Sequence, residues 1–149
     1  MGAFFGIDEY TLDPKNRLFF PPRYRQALDN EQGKHFMLTT GLNGCLYLFL
    51  PSQWNALLEG NMLEFKSGDK EEERAFKRFF FGNAAEAPLD SMGRILIGQN
   101  HKNYAELSKK VVVIGVGNKA ELWDVERWER YKQQAIVPNE QKFSKIYDI

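Results

Sequence analysis

The sequence is poor in the groups that usually announce a chemistry. It has one cysteine, Cys45, so no disulfide can form within the chain, which suits a reducing cytoplasm. Its two histidines, His35 and His101, stand apart from the paired Cys/His spacing of a zinc site, and no metal is expected. The stretch "GVGNKA" holds Gly-x-Gly without the third glycine and following helix of a dinucleotide fingerprint. With no phosphate loop or nucleophile–base pair visible either, the expectation is a non-enzyme with no cofactor and no small-molecule substrate. No uninterrupted apolar run approaches the roughly 20 residues of a membrane span. "MGAFFGIDEY" lacks the basic start and apolar stretch of a signal peptide. Net charge is missing as well: Lys+Arg and Asp+Glu are each 20. A uniformly basic nucleic-acid binder is thereby excluded, so any such binding needs a local basic patch, repeated by oligomerisation.

What the chain does have is aromatics, at 14%, and a globular hydrophobic content of 43%, which favour a β-rich core. It also repeats itself. "TLDPKNRLFF" from Thr11 and "PLDSMGRILI" from Pro88 both carry Leu-Asp, three residues, then Arg and an apolar run. Asp13 and Asp90 lie 77 apart, as do Arg17 and Arg94. Gly41 with Gly115, Leu48 with Leu122, Phe49 with Trp123 and Trp54 with Trp128 continue the match at a spacing of 74, so the second half has lost three residues. The repeat is a half-chain, too long for a solenoid unit.

Each half reads strand, turn, strand, helix, hairpin, helix. "DPKN" and "DSMG" are turns, Pro22 opens a helix, and Asn43-Gly44 marks a hairpin. Trp54, Leu57 and Leu58 have helical spacing up to a stop at Gly60, and Asp124 is placed to cap the last helix of the second half. Between the halves, "GDKEEERAFKRFFFG" predicts a helix with a Glu73–Lys77 pair and a Phe76, Phe79, Phe80 stripe, either core or oligomer interface. The expected divisions are 6–60, a linker helix over 61–82, 83–135, and a loosely held tail, 136–149. A half of this size rarely has enough core alone. Two should share one, giving an α+β, β-rich, pseudo-two-fold barrel with peripheral helices. The two Asp-x-x-x-Arg turns then emerge in equivalent positions on one surface.

Within each turn the chemistry is specific. Asp13 and Asp90 can accept N–H bonds from their own turns. Gly93 permits positive φ before Arg94, and Asn16 fills that slot before Arg17. A guanidinium at a strand start can pair with its own Asp, or grip phosphate or a guanine edge.

These residues resemble the MraZ family of bacterial transcriptional regulators, in "TLDPKNRLFFPPRYR", "GLNGCLYLF…W", "FKRFFFGNAAEAPLDSMGRILI" and "KKVVVIGVGNKAELWDVERW". The resemblance covers Gly6 to about Tyr131. It implies two AbrB-type swapped-hairpin halves and a cytoplasmic, nucleoid-associated regulator of a division and cell-wall operon. It further implies a homo-oligomeric ring reading short, G-rich direct repeats in double-stranded DNA. Carried over, the DNA-contacting arginines are Arg17 and Arg94, with Lys15, Arg23 and Arg25 as basic neighbours of the first. The second half departs from the pattern, with "GQNHKNYA" where a Pro and basic residues are usual. Tyr10–Leu28 holds Lys15, Arg17, Arg23 and Arg25 against Asp13, while Ala87–Ala105 holds Arg94 and Lys102 against Asp90. The first half is thus expected to be the better phosphate-facing surface. The alternative function is a protein-binding, antitoxin-like module of the same fold. Cys45, in an apolar run, is expected to be a small buried hydrophobe.

Overall fold

A computed structural model describes residues 3–60 and 68–149. The first half contributes β1 (Ile7–Thr11), β2 (Arg17–Phe19), α1 (Pro22–Asn30), β3 (His35–Thr40), β4 (Leu46–Phe49) and α2 (Pro51–Glu59). The connecting helix α3 (Lys70–Phe80) follows. The second half repeats the order as β5 (Ala85–Pro88), β6 (Arg94–Leu96), α4 (Gln99–Ala105), β7 (Lys110–Gly115), β8 (Ala120–Asp124) and α5 (Val125–Tyr131). The expected linker begins at 61, but 61–67 lie outside the described residues.

The strands do not pair within their own halves alone. One six-stranded antiparallel sheet has the order β1-β7-β8-β4-β3-β5, and a two-stranded sheet joins β2 to β6. Exchanging each element for its repeat reads the same order backwards. Each half lays its first strand on the other half's hairpin, and the pseudo-two-fold axis runs through the Leu18–Ile95 and Tyr47–Glu121 pairs. The fold is therefore α+β with a mostly antiparallel sheet, and the halves share a core.

That core is built from repeat partners. Leu18 and Ile95, Phe20 and Ile97, Phe36 and Val111, Leu38 and Val113, and Leu48 and Leu122 are all buried in one cluster. Burying each such side chain contributes roughly 1.5–3 kcal/mol. On the outer side two smaller clusters form. Trp123 and Trp128 pack with Tyr131 and Ile136 under α5, while Phe49 and Trp54 pack with Phe76, Phe80 and Phe81 between α2 and α3. The phenylalanine stripe of α3 is thus packed against its own chain. Thr40 Oγ1 donates to the Phe79 carbonyl at 2.7 Å, satisfying an acceptor at the C-terminal end of α3. The Glu73–Lys77 pair forms at 3.1 Å.

Two local readings change. The buried pairs Phe36–Val111 and Leu38–Val113 are 75 apart, not 74, so Thr40 rather than Gly41 is the structural counterpart of Gly115. The lost residues are not one deletion: α4 stops two residues sooner than α1, and the loop 41–45 is one longer than 116–119. Asn43 and Gly44 take positive φ, 64° and 78°, inside that longer loop rather than as a two-residue turn. The tail is helical: α6 (Glu140–Tyr147) follows a π-helical turn and a 3-10 turn, and none of its residues is buried.

Candidate nucleic-acid interface

The two Asp-x-x-x-Arg segments fold into the same turn. In the first, Asp13 Oδ1 accepts from the Lys15 and Arg17 amides at 2.9 and 2.8 Å, and Oδ2 accepts from Arg17 Nε at 2.6 Å. In the second, Asp90 Oδ1 accepts from Met92 and Arg94 at 2.9 Å each, and Oδ2 from Arg94 Nε at 2.8 Å. Asn16 and Gly93 occupy the same slot at φ 63° and 82°. The Arg17 amide heads the causes that hold the Asp13 carboxyl below its ordinary value, ahead of the Arg17 side chain, and Arg94 does the same for Asp90. The ion-pair reading of the arginines therefore holds for Nε. It leaves the terminal nitrogens of Arg17 without a hydrogen bond among the described residues, on a side chain 34% exposed.

Antiparallel pairing of β2 with β6 brings the turns together. Arg17 lies opposite Leu96, and Phe19 opposite Arg94. Arg94 reaches across the axis, with Nη1 3.9 Å from Asp13 Oδ2 and its guanidinium over the Phe19 ring at 5.7 Å. One surface thus carries both arginines beside exposed Phe19 and Leu96. The repeat predicts equivalent positions on one surface; the direct contact between the motifs comes from the pairing of β2 with β6.

The basic neighbours are distributed differently from the sequence expectation. Lys15 is exposed on the first turn. Arg23 folds back, donating to the Phe5 carbonyl at 2.9 Å, pairing with Asp8, and lying over the Tyr24 ring at 5.2 Å. Its guanidinium is engaged in holding the N-terminal segment. Arg25 does not sit at its own half's turn but against Gly93 of the other: a Cβ there would stand 2.5 Å from Arg25 Nη1. The repeat partner of Arg25 is Lys102, and its Nζ donates to Asn16 Oδ1 at 3.0 Å. Lys102 and Lys109 also line a groove of about 430 Å³ with Asp13 and Pro14. Counting charge along each half does not show that each turn has a helical cation of the opposite half beside it. Lys102 entered the sequence charge count without a site role and Lys109 was not singled out; the signal for Lys102 was its 77-residue spacing from Arg25.

Elsewhere, burial pushes the Cys45 thiol up, and Cys45 is fully enclosed, as a packing residue should be. His101 is buried with a ring nitrogen 2.6 Å from the Asn83 carbonyl, while His35 lies 3.8 Å from Glu86, so the two serve different places.

The family model "MraZ protein, putative antitoxin-like" matches the chain twice, over residues 3–79 and 80–148, one match per repeat. The chain belongs to the MraZ family. Relatives named transcriptional regulator MraZ run nearly its full length. That of Pelotomaculum thermopropionicum is 44% identical over 147 residues, covering 98% of this chain and 97% of that protein. That of Heliobacterium modesticaldum is 40% identical, with 97% of each chain covered. That of Desulforamulus reducens is 39% identical, covering 98% of this chain and 99% of the relative. Among the described residues no helix is long and apolar enough to cross a membrane.

Proposed function

We propose that the protein is a sequence-specific, double-stranded-DNA-binding transcriptional regulator of the MraZ kind, and not an enzyme. The observation that carries this reading is the convergence of two equivalent Asp-x-x-x-Arg turns on one face, with cations beside each. The strand pairing between halves supports a swapped-hairpin barrel of the AbrB type, made of halves 6–60 and 83–135, a linker over 61–82 and a tail from 136. Arg17 and Arg94 present guanidinium edges to phosphate or guanine; Lys15 and Arg25 add phosphate contacts. Arg23, already ion-paired with Asp8 and bonded to the Phe5 carbonyl, holds the N-terminal segment against the helix that carries it. The protein acts in the cytoplasm at the nucleoid, on short G-rich direct repeats before a division and cell-wall operon.

A neutral chain with few cations per copy holds one site weakly, and a ring of copies on successive repeats multiplies that hold. Copy-to-copy contact is supported by the apolar stripe Phe143, Ile146 and Tyr147, exposed along α6. The test is fluorescence anisotropy of wild type and Arg17→Ala on a direct-repeat duplex and a scrambled one, across a salt series. Repeat-selective binding by wild type, weakened at least about tenfold by the substitution, is the expected outcome. Equal, salt-insensitive binding to both duplexes, unchanged in the variant, would return the turns to a purely structural role. It would leave the antitoxin-like module as the better reading.

A further inference from the structure

Arg25 is the polar side chain of this surface with the least accounted for. Its Nε is buried without a hydrogen-bond partner, and the guanidinium makes no ion pair with any described residue. It lies against the second turn, where a Cβ at Gly93 would displace it, and Gly93 itself takes a φ of 82°. The side chain is half-buried, and a guanidinium whose Nε–H lacks an acceptor gains from an anion at its accessible edge. At the symmetry-related place Lys102 gives one of its three N–H donors to Asn16 and has two left for another acceptor. The two arrangements are matched alternatives. A bare glycine lets a broad guanidinium pack on the turn, whereas an asparagine there supplies an oxygen to a compact ammonium. Asn16 with Lys102, and Gly93 with Arg25, thus form two corresponding pairs.

Resting on the DNA reading above, we propose that each reading head is a composite of both halves: Arg25 serves with Arg94, and Lys102 with Arg17, as the phosphate contacts of the two turns. The helix of the second half, although sparsely basic, then supplies the first turn's cation. The half-chains are obligate partners in binding as well as in folding, because neither turn has its full charge without the other half.

The pairing is tested by double-substitution cycles in the full chain, on the direct-repeat duplex, with Arg25→Gln and Lys102→Gln combined in turn with Arg17→Ala and Arg94→Ala. Groups acting on one phosphate lose less together than the product of their separate losses. The expected result is a shortfall of at least about threefold for Arg25 with Arg94 and for Lys102 with Arg17, and simple multiplication for the crossed pairs. Each Gln variant should also flatten the log K against log[salt] slope by about 0.9 per phosphate lost, and Arg25→Lys should restore it. Melting temperatures check folding, and a Gln variant that melts early is replaced by the Met variant, which keeps the aliphatic stem without the charge. Wild type that binds the repeats while Arg25 couples to Arg17, or while the variants shift melting without touching the slope, overturns this pairing alone. Wild type that ignores duplex overturns the DNA reading and the pairing with it.

Discussion

At the scale of single residues, the turn is an electrostatic latch. Asp13 accepts two backbone N–H bonds and the Arg17 Nε, so its ionised form is preferred in the folded chain and its pKa lies below the ordinary 3.8. A depressed folded pKa contributes stability above the unfolded value, and that contribution is lost as pH falls through the folded one. Wild type should therefore exceed Asp13→Asn in stability by a constant margin from neutral pH down to about pH 5. The margin should close as the pH drops below the ordinary aspartate value. Denaturant unfolding at a series of pH values measures it, and a margin that instead grows in acid would mean that Asp13 is not the latch.

At the scale of elements, the hairpin that joins β7 and β8 to α5 depends on one side chain. Asp124 caps α5 by accepting from Glu126 and Arg127, and it also takes the Ser108 amide and hydroxyl at 3.1 and 2.6 Å. Burial pushes its pKa up, but the Ser108 and cap bonds outweigh this and the net shift is down. Asp124→Ala should cost about 1–2 kcal/mol of unfolding free energy, the upper part of the range for a lost cap, since it also strips Ser108 of its acceptor. Urea titration with an unchanged m-value and a lower midpoint is the expected record. The cap was readable from the sequence because Asp before a periodic run has a local cause. The Ser108 contact was not, since it needs β7 and β8 side by side.

At the scale of the whole molecule, the proposed DNA binding by a chain of zero net charge predicts that the number of engaged copies sets the affinity. A duplex with one repeat should bind about 10²–10⁴ times more weakly than one whose repeats engage several copies at once. Comparing the two by anisotropy at fixed salt checks this. Equal affinities would leave a single protomer as the binding unit.

Local chemistry alone set the elements and the turns: periodicity, Pro22, Asp124, and the Asp-x-x-x-Arg spacing act over a few residues, so they show in the linear sequence. The duplication was equally legible, and with it the expectation of a shared core. Which half completes which turn was decided by tertiary structure. Strand β1 pairs with β7 and β5 with β3, so the helix that follows each turn in sequence lies beside the other turn in space. The physical reason is burial: a half of this size has little core alone, and exchanging strands across the Leu18–Ile95 axis lets the two share one. The exchange carries Arg25 and Lys102 across with it.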